Sequence, residues 1–67
     1  MLCPRCQQGD IAKAKIKATE QLIYICKECD ATWFAFDHIG EVPFIDFGTY
    51  MLEIGLPPLL SELQVQD

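Results

Sequence analysis

The chain has 67 residues, of which 51% are hydrophobic, and it carries four cysteines and a formal net charge of -5. A chain this short can bury only a modest share of its surface, so we exclude a multidomain enzyme and expect a cross-link or bound metal to stabilise one small domain. Only five residues are Lys or Arg, which argues against a protein whose main task is to neutralise phosphates.

Membrane and export signals are missing from the sequence. The longest uninterrupted apolar run, Leu22 to Cys26, is far shorter than the roughly 20 residues that span a bilayer. No basic segment followed by an apolar segment precedes Cys3, as a secretory leader would require. We therefore expect a cytoplasmic protein without a membrane segment.

The cysteines form two closely spaced pairs, Cys3-Pro4-Arg5-Cys6 and Cys26-Lys27-Glu28-Cys29. Two residues between cysteines let the chain turn so that both sulfurs reach one ion at about 2.3 Å, and two such pairs complete a tetrahedron. The pattern therefore predicts one metal ion bound by Cys3, Cys6, Cys26 and Cys29. Two disulfides, which suit a secreted chain, and a redox-active first pair, which lacks its usual βαβ context, are the alternatives.

With two strand-like runs between the pairs and an aromatic run after them, residues 1–37 resemble the zinc ribbon family. This resemblance implies a single structural Zn²⁺ with no open coordination position, without which the first forty residues would unfold. Zinc ribbons usually carry a glycine after each cysteine pair, where this chain has Gln7 and Asp30. Rubredoxins bind iron with the same four-cysteine arrangement, which would make the protein an electron carrier, but their proline normally lies in the second pair.

Three strands are predicted around the cysteines. Residues 11–18 alternate, with Ala12, Ala14, Ile16 and Ala18 on the buried face and lysines on the other. A turn at residues 19–21 leads into a second strand at residues 22–25, and residues 31–36 read as a third. We expect a three-stranded antiparallel sheet with Trp33 in the core near the cysteines.

Residues 38–67 form an extension that is not typical of a ribbon. Apolar residues spaced i, i+3, i+4 and i+7 predict a helix that begins after Asp46 and stops at Gly55. The same spacing predicts a second helix whose first turn holds Pro57 and Pro58. The apolar residues of the first predicted helix are Phe47, Tyr50, Met51 and Ile54, and those of the second are Leu56, Leu59, Leu60 and Leu63. Residues 42–47 could instead continue as strand.

The sequence thus predicts a small, metal-stabilised β protein in one domain. A three-stranded antiparallel zinc-ribbon sheet occupies residues 1–37. An acidic, apolar extension of one or two short helices, residues 38–67, packs on that sheet.

Charge and hydrophobicity are concentrated in the second half. All basic residues lie within residues 1–27, whereas residues 28–67 contain eight Asp or Glu and no Lys or Arg. Residues 44–65 also hold twelve large apolar side chains. We expect this half to bind a basic partner protein or a second copy of the chain. The residues expected at that surface are Asp37, Glu41, Asp46, Glu53, Phe47, Tyr50, Met51 and Ile54.

Two simpler interpretations of these residues stay open. The apolar residues could all belong to the core, and the acids could serve only to keep the chain soluble.

Nucleic-acid binding of the transcription or translation type is the alternative function, through Lys13, Lys15 and Lys17 with Tyr24 on the neighbouring strand. Three lysines would neutralise about three phosphates, and the acidic half would repel the same backbone. We therefore favour the protein-binding interpretation.

Catalytic signatures are absent from the sequence. It has no paired carboxylates at a catalytic spacing, no nucleophile with an adjacent base and no glycine-rich phosphate loop. His38 stands beside a complete set of four sulfur ligands, so we expect it to be neither a ligand nor a catalytic residue. We expect a non-enzymatic protein without a small-molecule substrate.

Overall fold

An antiparallel sheet organises the protein, which is described here for residues 1–66 in a computed structural model. The strand order across the sheet is β4-β3-β2-β1-β5. Within residues 1–66 there is one α-helix, which follows β4 directly, and two short 3-10 turns. The elements are β1 (Ile11–Ile16), β2 (Leu22–Cys26), β3 (Ala31–Trp33), a 3-10 turn (Phe36–His38), β4 (Ile45–Asp46), α1 (Phe47–Glu53), a second 3-10 turn (Leu60–Glu62) and β5 (Leu63–Val65).

The predicted hairpin between the cysteine pairs is confirmed. β1 pairs with β2 so that Ile11 lies opposite Cys26, next to the cysteine cluster. Ala14 and Ile16 are fully buried, as the alternation predicts. The first strand ends two residues earlier than predicted, because Glu20 adopts a φ of 62° and its N–H donates to the Ile16 carbonyl at 2.7 Å. Ala18 is consequently exposed.

The helix α1 begins and ends where the sequence predicts. Asp46 is its N-cap, with Oδ2 accepting hydrogen bonds from the backbone N–H and the hydroxyl of Thr49 at 3.0 and 3.1 Å. Gly55 has a φ of 80°, which a glycine adopts without steric cost. Its N–H donates to Leu52 and that of Leu56 to Met51, which is the Schellman arrangement of a helix end.

The extension adds two strands to the sheet, which therefore has five strands and not the three that the sequence predicts. β4 pairs with β3 and β5 pairs with β1, which places them at the two edges. The third strand is shorter than predicted, ending at Trp33, and residues 36–38 form a 3-10 turn instead.

The predicted second helix does not form. Pro58 restricts Pro57 to extended backbone, and neither proline has an N–H to donate. Leu59 is also extended, with φ -119° and ψ 136°. The extended chain leads into β5, which pairs with β1 so that Leu63 lies opposite Ile16 and is buried.

Two clusters of buried side chains lie on opposite faces of the sheet. On one face, α1 contributes Phe47 and Met51 to a core with strand residues and Leu63. On the other, Trp33 and Ile39 pack around the cysteines, which confirms the predicted place of Trp33. The Trp33 indole N–H donates to the Val42 carbonyl at 3.0 Å. No helix within residues 1–66 combines the length and apolar character needed to cross a membrane.

Candidate metal centre

The four cysteine sulfurs converge on one point at the end of the hairpin. Their Sγ atoms all lie within 4.8 Å of one another. Cys3 Sγ is 3.7 Å from Cys29 Sγ, and Cys6 Sγ is 3.6 Å from Cys26 Sγ. A tetrahedral ion with metal–sulfur distances of about 2.3 Å has sulfur–sulfur separations of roughly 3.8 Å. All four cysteines are free, so this donor set fits one tetrahedral thiolate-bound metal ion.

Each cysteine pair is held by the same backbone turn. The N–H of Gln7 donates to the Cys3 carbonyl at 2.9 Å, and the N–H of Asp30 donates to the Cys26 carbonyl at 2.8 Å. Both donors have left-handed backbone, with φ 57° at Gln7 and 63° at Asp30. The two positions where zinc ribbons usually carry glycine therefore have the conformation that glycine adopts most easily.

Gly9 packs directly against the sulfurs. It is buried, and its carbonyl accepts a 2.7 Å hydrogen bond from the N–H of Cys3. A Cβ at this position would lie 2.8 Å from Cys26 Sγ and 2.6 Å from Glu28 Cγ. Real Cβ atoms essentially never come this close, so only glycine fits here without displacing a sulfur.

Backbone N–H groups and burial shift the pKa values of two of the thiols, Cys6 and Cys26, in opposite directions. Hydrogen bonds from the N–H groups of Gln8 and Gly9 lower the pKa of Cys6 to about 6. Burial raises the pKa of Cys26 to about 12, although the N–H groups of Cys29 and Glu28 oppose that shift. A dication at the centre of the cluster would favour the thiolate form of all four.

Arg5 connects the first cysteine pair to the second and to the segment before β4. Its Nη1 donates to the Cys29 carbonyl at 3.1 Å. Its guanidinium carbon lies 4.3 Å from the centroid of the Phe44 ring, within the range of a cation–π interaction. Sequence analysis did not identify Arg5 or Gly9 as site residues, because their partners lie far away in sequence.

The second cysteine pair is also tied to α1. The N–H of Phe47, the first helical residue, donates to the Asp30 carbonyl at 3.0 Å. Phe47 itself is 2% exposed and lies in the core. The cysteine cluster and the extension therefore share one continuous hydrogen-bonded framework.

The three lysines that the alternative function would use to bind nucleic acid have different surroundings. Lys13 lies opposite Tyr24, as expected for a shared face. Lys15 is near Glu20, with Nζ 3.9 Å from a carboxylate oxygen. Lys17 donates to the Ser61 carbonyl at 3.0 Å, so its ammonium group is held at the second 3-10 turn.

The residues predicted to bind a partner divide by burial. The carboxylates of Asp37, Glu41, Asp46 and Glu53 are all on exposed residues, and that of Asp46 caps α1. Of the predicted apolar residues, Phe47 and Met51 are in the core, Tyr50 is partly buried and Ile54 is 37% exposed. Side chains that sequence analysis did not single out are more exposed, such as Leu52 at 65%.

His38 lies outside the cysteine cluster, on the exposed 3-10 turn after β3. No cavity of ligand size opens in the part of the chain that the structure describes.

Comparison with known proteins gives no relative. The chain matches no protein-family model, no curated protein and no solved structure. Function is therefore inferred from the chain's own residues.

Proposed function

We propose that the protein is a non-enzymatic, zinc-stabilised module of the zinc-ribbon type that binds another protein through its acidic, apolar second half. The observation that carries the first part is the convergence of four free cysteine sulfurs within 4.8 Å. Four protein ligands fill a tetrahedral zinc ion and leave no position for water or substrate. Such an ion stabilises the fold and does no chemistry.

Zinc is favoured over iron by the form of the two turns. The first pair carries Pro4, whereas the rubredoxin resemblance would put a proline in the second. Left-handed residues after both pairs match the glycine positions of zinc ribbons. A structural zinc site contributes an apparent free energy of about 10 kcal/mol or more, enough to fold a domain of this size.

Exposed apolar surface supports the second part of the proposal. Of the twelve large apolar side chains in residues 44–65, seven are more than one third exposed. The seven are Phe44, Ile45, Leu52, Ile54, Leu59, Leu60 and Val65. The same half carries all of the uncompensated acids. An exposed mixture of apolar and acidic residues suits a partner protein with a basic surface.

Binding can be tested with charge-reversed protein. The variant Glu41→Lys/Glu53→Lys reverses two exposed acids of the second half. Asp46 is left intact, because its carboxylate caps α1. Zinc-loaded wild type and variant are immobilised and exposed to the soluble proteins of the source cell, and the bound proteins are identified by mass spectrometry. We expect a basic protein that wild type captures and that the variant loses.

The matched control is Asp10→Lys/Glu20→Lys, which makes the same change of net charge at exposed acids of the first half. It should retain the partner. Equal capture by all three proteins, or by none of them, would contradict binding through the acidic half. Light scattering of wild type alone tests self-association: a stable dimer that the variant does not disturb would also contradict a basic partner.

A further inference from the structure

One face of the sheet remains partly uncovered. Because side chains alternate along a strand, the face opposite α1 carries Lys13 and Lys15 on β1, Leu22 and Tyr24 on β2 and Gln64 on β5. The pairing places Gln64, Lys15 and Leu22 side by side across three strands. Together with the ring of Phe36, these side chains form the lysine face.

The rings of Tyr24 and Phe36 contact each other at one side of the lysine face, and together they form its aromatic step. Phe36 and Tyr24 meet edge to face, with ring centroids 5.9 Å apart. Tyr24 is partly buried, but Phe36 is 64% exposed. An aromatic ring this exposed forgoes most of the stabilisation that burial would bring, and among the described residues its one aromatic contact is with the ring of Tyr24. It offers a flat apolar surface to a stacking ligand.

Positive charge lies next to that step. Lys13 is exposed and lies directly opposite Tyr24. Lys15 follows two residues along the same strand, about 7 Å away. Three acids of the described residues border these groups. A Glu20 carboxylate oxygen lies 3.9 Å from Lys15 Nζ, and that side chain is 80% exposed. The Glu62 carbonyl accepts from the N–H of Lys17 at the end of β1, and Asp37 follows Phe36 in sequence. The helix α1, with Glu53, covers the other face of the sheet.

We propose that the lysine face binds single-stranded nucleic acid. Lysines in line along a strand suit successive phosphates, and the exposed ring of Phe36 suits a base, which is the combination used by sequence-tolerant single-strand binding surfaces. The face is open, with no ligand-sized cavity among residues 1–66, which suits an extended polymer. An acidic peptide would use the lysines and leave the aromatic step without a function.

Fluorescence anisotropy tests this with the zinc-loaded full chain and a labelled single-stranded oligonucleotide of about 12 nucleotides, in DNA and RNA forms. Phe36→Ala should weaken binding about fivefold or more, because stacking of a base on one aromatic side chain contributes at least that factor. Lys13→Ala/Lys15→Ala should lower the slope of log affinity against log salt by about 1.4, since each phosphate neutralised on a single strand contributes about 0.7.

Matched controls separate these effects from general damage. Leu52→Ala removes an apolar side chain that is 65% exposed, against 64% for Phe36, from the opposite face. Lys27→Ala removes an exposed charge outside the lysine face. Both should bind within about twofold of wild type. Circular dichroism and zinc content establish that every variant is folded.

Three results would overturn the proposal. The first is no binding of either oligonucleotide by wild type at about 50 mM salt, where phosphate contacts are strong. The second is an equal loss of affinity in the controls. The third is tighter binding of a labelled poly-glutamate peptide than of the oligonucleotides, which would assign the lysine face to an acidic protein. Loss of the partner in the charge-reversal experiment would leave these measurements unaffected, because neither Glu41 nor Glu53 belongs to the lysine face.

Discussion

The guanidinium of Arg5 lies 4.3 Å from the centre of the Phe44 ring, while its Nη1 donates to the Cys29 carbonyl at 3.1 Å. One side chain from the first cysteine pair therefore holds the second pair and the segment that leads into β4. Orientation of metal ligands by such outer contacts commonly affects metal affinity as well as stability.

Arg5→Ala should weaken metal binding and lower the free energy of unfolding by about 1 kcal/mol, from loss of the cation–π contact and the hydrogen bond. Arg5→Lys should recover only part of the loss, because an ammonium group lacks the planar fork of guanidinium. Competition for zinc with a coloured chelator and thermal unfolding measure the two effects. Lys27→Ala, within the other cysteine pair, is the control, and an equal loss there would contradict a specific role for Arg5.

Gly9→Ala should damage the cysteine cluster itself. The added Cβ would lie 2.8 Å from Cys26 Sγ and 2.9 Å from Glu28 Cβ, so a sulfur must move out of the tetrahedral arrangement. We expect weaker zinc binding and partial loss of metal during gel filtration. Zinc content after chromatography measures this.

The control for that substitution is Gly48→Ala, within α1. Its Cβ would be 3.4 Å from Asp46 Oδ2 and 3.6 Å from Pro58 Cβ, close to ordinary contact distances. Alanine in a helix is more stable than glycine by about 0.5–1 kcal/mol, so this variant should keep its metal and gain stability. Normal zinc content in Gly9→Ala would show that the close packing at Gly9 is not needed by the site.

Gln7→Gly should stabilise the protein. Gln7 is exposed and has a φ of 57°, a conformation that costs a residue with a Cβ about 1 kcal/mol or more and costs glycine nothing. Unfolding of the zinc-loaded protein in denaturant should therefore shift to higher concentration. Gln8→Gly is the neighbouring control without positive φ and should be neutral or destabilising. A loss of stability in Gln7→Gly would mean that the glutamine side chain has a role of its own.

Asp46→Ala should destabilise the protein by about 1 kcal/mol through loss of the N-cap of α1. Asp46→Asn should lose much less, because the amide oxygen can still accept the hydrogen bond from the N–H of Thr49. Chemical denaturation distinguishes the two variants. Equal effects would indicate that the charge of Asp46, and not its capping hydrogen bond, stabilises α1.

Features that depend on neighbouring residues could be predicted from the sequence. The spacing of the cysteines predicts their cluster, and the alternation around Ala14 and Ile16 predicts the first hairpin. Asp46 and Gly55 predict both ends of α1. Each of these patterns spans only a few residues, although the cysteines that meet in the cluster lie 20 and 26 positions apart in sequence.

The edge strands could be predicted only in part, because two or three residues carry no periodic pattern. The sequence leaves a strand within residues 42–47 open as an alternative, and β4 lies there, but no pattern predicts β5. β4 and β5 form because β3 and β1 have backbone groups that β2 does not pair. For example, the Lys13 carbonyl of β1 accepts a hydrogen bond from the N–H of Gln66, directly after β5, at 2.7 Å. The leucine spacing of residues 56–63 predicts a helix, but Pro57 and Pro58 and pairing with β1 outweigh it. The contacts of Arg5 and Gly9 likewise depend on the folded chain.

We propose that four cysteine thiolates bind one zinc ion on which the fold depends. Native mass spectrometry of protein expressed without added metal tests it most directly, because one spectrum gives the mass of the bound ion and the number of protons on the sulfurs. We expect one zinc per chain with four metal-bound cysteines, and a broad, unfolded charge distribution once a chelator removes the zinc. Iron in place of zinc would contradict this proposal. A metal-free chain that is lighter by four hydrogen atoms, because two disulfides have formed, would contradict it as well.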